Sequence, residues 1–437
     1  ALFSVGIPWE TIAASVRPDE VGVYCTSIMG QVTKEGLGGL LQARLLGERT
    51  TSKQYAMALN TMPADFINAY VLGSVGHTAA ITGACASFLY VLQAAVQDIR
   101  SGRRRVAIVG SAEAGLTPEI MEGFTNMGAL GTDINLCKLD GTEIPDWRRA
   151  SRPFGENCGF TIGEGAQYTV LMDDALAMEL GADIHGAVPD VFINADGVKK
   201  SISAPGAGNY VSFAKAVASA MAIVGEKTVR KHSFIHAHGS STPANRVTES
   251  EIFDRVAEAF DINDWPVAAA KAYVGHSLAG ASGDQLIFTL GTFKYDLIPG
   301  IKTVDKVAED VAQKHILFPL KDLDVSDRKM DVAFINSKGF GGNNATAVVL
   351  SPGKVEEMLS SRYGVAMQDY QQRREKIRRA AEDYAHRADY GEVEVVYRFG
   401  DTLIDEEGID ISCDRIHMPG YEQDVVFDKA NPWEDMA

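Results

Sequence analysis

The sequence has no long apolar run and is short of positive charge. No segment approaches the roughly 18 consecutive apolar residues that a membrane-spanning helix requires. Lys and Arg number 41 against 58 Asp and Glu, which gives a formal net charge of −17. Because nucleic-acid phosphates and acidic membrane surfaces both attract a basic face, we expect neither of them as a partner.

Cysteine is also scarce, with five residues at irregular spacings: Cys25, Cys85, Cys137, Cys158 and Cys413. These spacings match neither a disulfide framework nor a zinc site, and no His, Asp or Glu cluster has metal-ligand spacing. We therefore predict no metal, no cofactor and a reducing, cytoplasmic location. No signal peptide is recognised, and since the chain begins at Ala1, we expect natural N-terminal residues to be missing.

Apolar residues make up 46% of the 437 residues, which is enough to bury a large core. Strand-like runs alternate with helical patterns from about residue 80 to residue 350. This alternation predicts an α/β protein with parallel or mixed sheets covered by helices on both faces. Beyond Pro352 a mixed-charge helical stretch (355–390) begins a tail to which the sequence assigns no chemistry.

The stretch Ile81-Thr82-Gly83-Ala84-Cys85-Ala86-Ser87-Phe88 places a cysteine among small residues. Residues 79–81 suggest a short buried strand, and apolar residues at helical spacing follow the cysteine. A cysteine at a strand-to-helix turn lies at a helix N-terminus, which lowers the pKa of a thiol and favours the thiolate. Taken alone, Cys85 is more readily explained as a small buried core residue, which is what most free cysteines are.

Four further segments carry residues that are suited to catalysis. Each has an ordinary structural explanation, since strand-end histidines often belong to the core and glycine pairs make turns. They are the segment from Phe160 to Gly165, His236-Ala237-His238-Gly239-Ser240-Ser241-Thr242-Pro243, Lys271-Ala272-Tyr273-Val274-Gly275-His276-Ser277-Leu278, and Asn336-Ser337-Lys338-Gly339-Phe340-Gly341-Gly342-Asn343-Asn344-Ala345. Gly275-His276 precedes a helical run much as Gly83-Ala84-Cys85 does, so we also expect two similar halves.

In this order, the motifs resemble those of the β-ketoacyl synthases of the thiolase superfamily, over about residues 15–352. Two histidines with one cysteine match the elongating type of condensing enzyme; the starter type uses a histidine and an asparagine, and thiolases use a second cysteine. The run from Ser151 to Asn157 and the long tail look like the FabY-type synthases of Gram-negative bacteria.

The resemblance implies a role for each motif residue. Cys85 would carry the primer as a thioester, and His238 and His276 would stabilise the enolate formed when a malonyl thioester loses CO₂. Lys271 would set the protonation of the histidines. The backbone N–H groups of Cys85 and Phe340 would form a second oxyanion hole. Phe340 resembles the gating phenylalanine of the family, and two hydroxyl residues would hold the phosphopantetheine arm: Ser240 and Thr242.

The sequence departs from the family pattern at three points. Gln285 and Arg246 stand where many relatives have carboxylates, whereas Glu249 matches. We therefore expect Glu249 to hold Lys271. Only 84 residues precede Cys85, about half of the family's usual number, so we expect the first strand of the fold to be absent or to lie outside this chain.

The resemblance implies a thiolase-like fold of two similar halves in an α-β-α-β-α layered sandwich. The halves are predicted at 1–185 and 186–352, with a C-terminal extension at 353–437. Further implications are a homodimer, an acyl carrier protein as partner and decarboxylative condensation in fatty acid synthesis, with acetyl-CoA or a short acyl group as primer.

Three alternatives stay open at this stage. The first is a general elongating synthase that acts on longer acyl groups. The second is a non-catalytic partner like the chain-length factors, against which Cys85 and both histidines argue. The third is a cysteine hydrolase, which gives no reason for a second histidine, for Lys271 or for the Gly-Phe-Gly-Gly loop.

Overall fold

The structure is a computed structural model that describes residues 2–202, 204–394, 396–400, 403–431 and 433–436. Its α-helices are α1 (Trp9–Ala14), α2 (Leu37–Leu46), α3 (Ser52–Ala56), α4 (Met62–Ile67), α5 (Ser87–Arg100), α6 (Pro118–Asn126), α7 (Asp133–Asp140), α8 (Asp174–Leu180), α9 (Gly208–Val224), α10 (Glu226–Lys231), α11 (Pro243–Ala259), α12 (Lys271–Val274), α13 (Ala281–Tyr295), α14 (Pro352–Tyr363) and α15 (Ala366–Asp389). Its strands are β1 (Val21–Thr26), β2 (His77–Ala79), β3 (Val106–Glu113), β4 (Gly165–Met172), β5 (Ala187–Ala195), β6 (Ser233–His236), β7 (Trp265–Ala268), β8 (Leu297–Ile298), β9 (Ile316–Leu317), β10 (Leu323–Asp324), β11 (Val332–Gly339), β12 (Asn343–Leu350), β13 (Asp410–Ile411), β14 (Arg415–His417) and β15 (Val425–Val426).

Two mixed sheets form the body of the molecule. The first has the order β2-β1-β3-β4, in which only the β3–β4 pair is antiparallel. The second has the order β5-β12-β11-β6-β7-β9, in which β12 is antiparallel to both of its neighbours. Parallel pairs connected through helices require helices on both faces of a sheet, as the alternating pattern predicted.

Side chains alternate between two cores along the central strands. In β3, Val106 and Ile108 enter one apolar cluster, whereas Ala107 and Val109 enter another. In β11, residues 332 and 334 likewise point away from residues 333 and 335. This period of two shows that each sheet has a packed layer on both of its faces.

The middle layer contains α5 and α13, which pack against each other and between the two sheets. Helix α5 buries Phe88, Leu89, Val91, Leu92 and Ala95 at helical spacing, so the predicted helix is confirmed. Helix α9 covers the outer face of the second sheet, and α1, α4 and α8 cover the outer face of the first. Helices and sheets therefore alternate in five layers.

The C-terminal extension packs on the body of the molecule. Met367 and Tyr370 of α15 are buried, and the Tyr370 hydroxyl donates to the carbonyl of Ala182 at 2.8 Å. Beyond α15, the ring of Tyr397 lies 5.5 Å from that of Phe66 at the end of α4. The tail thus covers the junction between the halves and then crosses to the first half.

No helix within the described residues is both long enough and apolar enough to cross a bilayer.

Candidate active site

Cys85 lies in a tight turn just before α5. The preceding residue, Ala84, has φ +49°, in the left-handed region that few non-glycine residues adopt. Ser87 braces the turn, because its Oγ accepts from the N–H of Gly83 at 2.9 Å and donates to the carbonyl of Ala84 at 2.6 Å. A Cβ at Gly83 would come within 2.6 Å of the Tyr90 ring, so the small residues around Cys85 are a steric requirement.

The strand predicted at 79–81 is wrong in position and burial. The strand before the turn is β2, which ends at Ala79, and Ile81 is 39% exposed. β2 is an edge strand of its sheet, and none of its residues is buried.

The thiol of Cys85 has a raised pKa, which corrects the expectation of a lowered one. Burial raises the pKa, while the positive charge of Lys271 and the backbone N–H groups of Phe340 and Cys85 lower it. The loss of hydration raises the pKa of the thiol more than the N-terminus of α5 lowers it. The two N–H groups point at the sulfur, so they can also receive an oxygen that develops negative charge on a group bound there.

His238 and His276 face each other with ring centroids 5.3 Å apart and planes at 83°. Both rings are buried, and burial together with the charge of Lys271 holds each pKa well below its usual value. The N–H of Leu278 donates to Nδ1 of His276 at 3.1 Å, so the proton of the neutral ring is on Nε2. The site therefore offers neutral N–H donors.

Lys271, the first residue of α12, donates from Nζ to the carbonyl of His238 at 2.6 Å. Burial lowers its pKa to about 8, against the opposing charges of Cys85, Glu249 and Asp284. Its cation lies within the electrostatic range of the thiol and of both histidines. This placement agrees with a role in setting the protonation of the histidines.

Glu249 holds the backbone of His238 rather than Lys271 itself. Its carboxylate accepts from the N–H groups of His238 and Gly239 and from Nδ2 of Asn336, all at 2.8 Å. No hydrogen bond joins it to Lys271 in the described part of the chain. Three N–H donors already bind this fully buried carboxylate, so Glu249 acts on Lys271 only through its negative charge.

Two departures from the family pattern have local structural explanations. Nε2 of Gln285 donates to the carbonyls of His236, Ala237 and Asn336 at 2.7–2.9 Å, which a carboxylate could not do. Arg246 forms a two-pronged ion pair with Asp310 at 2.8 and 2.9 Å. Gln285 thus stabilises the segment before His238, and Arg246 joins α11 to the segments around Gly155 and Asp310.

Phe340 occupies the short connection between β11 and β12. Gly341 and Gly342 have φ +93° and +96°. Phe340 is 50% exposed, and its backbone N–H reaches Cys85. The hydroxyls of Ser240 and Thr242 lie 3.1 Å apart, and Thr242 caps α11 by accepting from the N–H of Asn245. Cys85, Phe340, Lys271 and the two histidines are thus linked by contacts or by electrostatic interactions, and Ser240 and Thr242 lie in the loop that follows His238.

Two residues of the site were missed by the sequence analysis. Asn336 is fully buried and bonds Glu249, and its Oδ1 accepts from Asn209 and from Thr346. Lys338 is partly buried and donates to the Thr248 hydroxyl at 2.9 Å. The available signal was the polar Asn336 and Lys338 directly after the apolar run 332–335.

No group of three or more His, Cys, Asp or Glu side chains is placed to hold a metal ion in the ranges that the structure describes.

Comparison with known protein families matches both halves of the chain. Residues 1–177 match the N-terminal domain of the β-ketoacyl synthases, and residues 185–305 match the C-terminal domain. The chain belongs to the β-ketoacyl synthase family. The family resemblance and the thiolase-like fold predicted from the motifs are both confirmed.

Individual synthases show the same relationship. The chain is 59% identical to the β-ketoacyl-acyl-carrier-protein synthase FabY of Pseudomonas aeruginosa, over 100% of this chain and 69% of that protein. It is 29% identical to 3-oxoacyl-acyl-carrier-protein synthase 2 of a Synechocystis strain, over 77% of this chain and 76% of the other.

Solved structures agree with the sequence relationship. The crystal structure of the noncanonical ketosynthase FabY from P. aeruginosa superposes with a TM-score of 0.98, over 100% of this chain and 68% of that one, at 59% identity. A type II polyketide ketosynthase in complex with its acyl carrier protein shares the fold at 21% identity, with a TM-score of 0.65 over 77% and 81% of the two chains.

Proposed function

We propose that this protein condenses an acyl primer with malonyl-acyl carrier protein (malonyl-ACP) to give 3-ketoacyl-ACP in fatty acid biosynthesis. It is an acyltransferase by family membership. The observation that carries the proposal is the pair of neutral, buried histidines 5.3 Å apart, opposite a thiol that two backbone N–H groups face. A cysteine hydrolase needs only one histidine and no such pair.

In the first half-reaction, the sulfur of Cys85 attacks the thioester carbonyl of the primer, the bond to the carrier sulfur breaks, and the proton of the Cys85 thiol passes to the departing thiolate. The N–H groups of Cys85 and Phe340 receive the oxyanion of the tetrahedral intermediate. The turn at Ala84 fixes the sulfur at the start of α5. Phe340, exposed between Gly339 and Gly341, acts as the gate to the acylated cysteine.

In the second half-reaction, the thioester oxygen of malonyl-ACP accepts hydrogen bonds from His238 and His276. The bond to the carboxylate carbon breaks, CO₂ leaves, and the electron pair forms an enolate whose oxygen the two N–H donors stabilise. Neutral imidazoles suit this step, because an imidazolium would protonate the carbanion. Lys271 keeps both rings neutral, and Glu249 positions the backbone of His238.

The enolate carbon then attacks the acyl group on Cys85, and the sulfur leaves as the new carbon–carbon bond forms. Ser240 and Thr242 hold the phosphopantetheine arm through their hydroxyls, which lie 3.1 Å apart at the start of α11. Acyl carrier protein is the proposed partner. The solved complex of a related ketosynthase with its acyl carrier protein supports that assignment.

We place the division between the halves at 185/186, with the extension at 353–437. Support comes from the sheets, since β4 ends at Met172 and β5 begins at Ala187, and from the family matches, which end at 177 and resume at 185. A homodimer and a cytoplasmic location complete the proposal. The five free cysteines fit a reducing compartment.

Acetyl-CoA or a short acyl group is the proposed primer, on the likeness to FabY. The test is to supply the purified chain with malonyl-ACP and either acetyl-CoA or a medium-chain acyl-ACP, and to measure 3-ketoacyl-ACP by mass spectrometry. Preferential use of acetyl-CoA is expected. Equal use of the longer primer would instead assign general elongation, and no product from either would contradict condensation.

A further inference from the structure

Lys338 is a partly buried cation with little to bind. It lies near the end of β11, two residues before Phe340, and its Nζ donates to the hydroxyl of Thr248 at 2.9 Å. An ammonium group has three N–H donors, and this bond to a neutral oxygen uses one of them. Burial lowers the pKa of Lys338, which reflects the loss of hydration around the charge.

The ammonium group lies close to the residues that hold the backbone of His238. Asn336 and Lys338 are two residues apart on one strand, so they share a face of β11, and Asn336 bonds Glu249. Thr248, the partner of Lys338, directly precedes Glu249, whose carboxylate holds the N–H of His238. The charge of Lys338 also contributes to the low pKa of His238.

No carboxylate within the described ranges lies within 4 Å of the ammonium group of Lys338. Lys199, beside the same Phe340–Gly342 connection, differs, because its Nζ pairs with Asp196 at 3.3 Å and donates to the carbonyl of Ile202 at 2.7 Å. The carboxylates of Glu249 and Asp196 act on this partly desolvated cation only from beyond ion-pair distance, so a site of this kind calls for an anionic ligand.

We propose that Lys338 binds the free carboxylate of the malonyl group. This inference rests on the proposed condensation, in which the thioester oxygen of the malonyl group faces His238 and His276. In this proposal the carboxylate, one methylene away from that thioester carbonyl, faces Lys338. The acyl primer has no such group, so Lys338 distinguishes the extender from the primer in a site that both must enter.

The contact changes during the reaction. When the bond to the carboxylate carbon breaks, the negative charge passes to the enolate oxygen at the histidines, and CO₂ leaves as a neutral molecule. The contact with Lys338 is therefore made in the bound substrate and lost in the product. An interaction of this kind lowers KM and does not raise kcat.

The test compares the two half-reactions in Lys338→Met, which keeps the length of the side chain and removes its charge. We expect KM for malonyl-ACP to rise about tenfold or more, with a smaller change in kcat. Acylation of Cys85 by acetyl-CoA should keep its wild-type rate, because that substrate carries no carboxylate. Lys338→Arg should recover much of the affinity.

Lys199→Met is the matched control, since its cation is already paired, and its KM for malonyl-ACP should stay within about twofold of the wild-type value. An unchanged KM in Lys338→Met, or an equal loss in both half-reactions, would overturn the proposal. If Lys338→Met does not fold, Lys338→Gln and Lys338→Arg provide the same comparison. Failure of the wild-type protein to condense would refute the proposed function itself, which separates the two claims.

Discussion

The two halves of the molecule share one arrangement of four strands and differ at the edges of their sheets. In the first half the order is β2-β1-β3-β4, and in the second the order β7-β6-β11-β12 repeats it, with β5 added beside β12 and the short β9 beside β7. Cys85 precedes α5 in the first half, and His276 precedes α13 in the second. The echo between the two motifs in the sequence therefore corresponds to equivalent places in two related halves.

Each half also contacts the reactive residue of the other through the connection of its antiparallel pair. The short β11–β12 connection brings the N–H of Phe340 to Cys85. The long β3–β4 connection holds His276, whose N–H donates to the carbonyl of Thr161 at 2.7 Å and whose carbonyl accepts from Gly163 at 3.0 Å. The nucleophile Cys85 and the hydrogen-bond donors His238 and His276 therefore come from different halves. Each half positions the reactive residue of the other.

The difference lies along β4. Its counterpart β12 is paired on both sides, whereas β4 pairs only with β3 among the strands that the structure describes. A groove of about 400 Å³ follows it, lined in part by Val170, Met172 and Leu286. The first half thus carries the nucleophile on a sheet whose β4 edge is unpaired among the described strands.

The largest expected effect comes from removing the one reactive group of the first half. Cys85→Ala should lose condensation by at least about 10³-fold, because no thioester can form. Release of CO₂ from malonyl-ACP should persist, since the donors for that step belong to the second half. Both rates are measured in one assay, with the exposed Cys413→Ser as control. Loss of CO₂ release in parallel with condensation would break the division between the halves.

Glu249→Ala tests the support of the second half. The change leaves the N–H groups of His238 and Gly239 and the amide of Asn336 without their acceptor in a buried place. We expect a loss of about 3 kcal/mol in the free energy of unfolding and a clear fall in CO₂ release. Chemical denaturation measures the first and the decarboxylation assay the second. Unchanged decarboxylation would refute the role of Glu249.

Lys271→Met should move the pH dependence of the second half. Burial and the charge on Lys271 hold the pKa of His238 and His276 low, and catalysis needs both rings neutral. Without the cation, the histidine pKa rises, so the acid limb of CO₂ release shifts to higher pH, with a rate about tenfold lower at neutral pH.

Lys271→Arg keeps the charge and should keep the acid limb in place. An acid limb that stays at the same pH in Lys271→Met would contradict this role.

The smallest effect is expected at the open edge. Hydrogen exchange of residues 165–172 should be faster than that of residues 343–350, by about tenfold for the outward-facing amides of β4, which no described strand protects. Mass spectrometry of the corresponding peptides measures both strands in one sample. Equal protection would show that the edge of β4 is covered in solution. The contrast between β4, paired on one side, and β12, paired on both, would then not hold.

The sequence was sufficient for the elements whose pattern is local. Helix α5 followed from its apolar spacing, and the fold followed from the order of the motifs around Cys85, His238 and His276. Strand β2 was misplaced because a three-residue edge strand has too little periodicity to fix its bounds.

Electrostatics could not be predicted in the same way. The pKa of Cys85 depends on burial by both halves, which the turn alone does not reveal. The partners of Glu249 come from residues far apart in the chain, so spacing could not show that it bonds His238 and Asn336 instead of Lys271. Long-range packing decides both outcomes.

The most direct test of the division of labour uses His276→Ala with acetyl-CoA and malonyl-ACP. Intact-mass spectrometry follows the acetyl group on Cys85, and a coupled assay follows CO₂. Our account predicts that Cys85 still becomes acetylated while CO₂ release falls by about 10²-fold or more. Loss of acetylation together with CO₂ release, in a variant that is still folded, would contradict it.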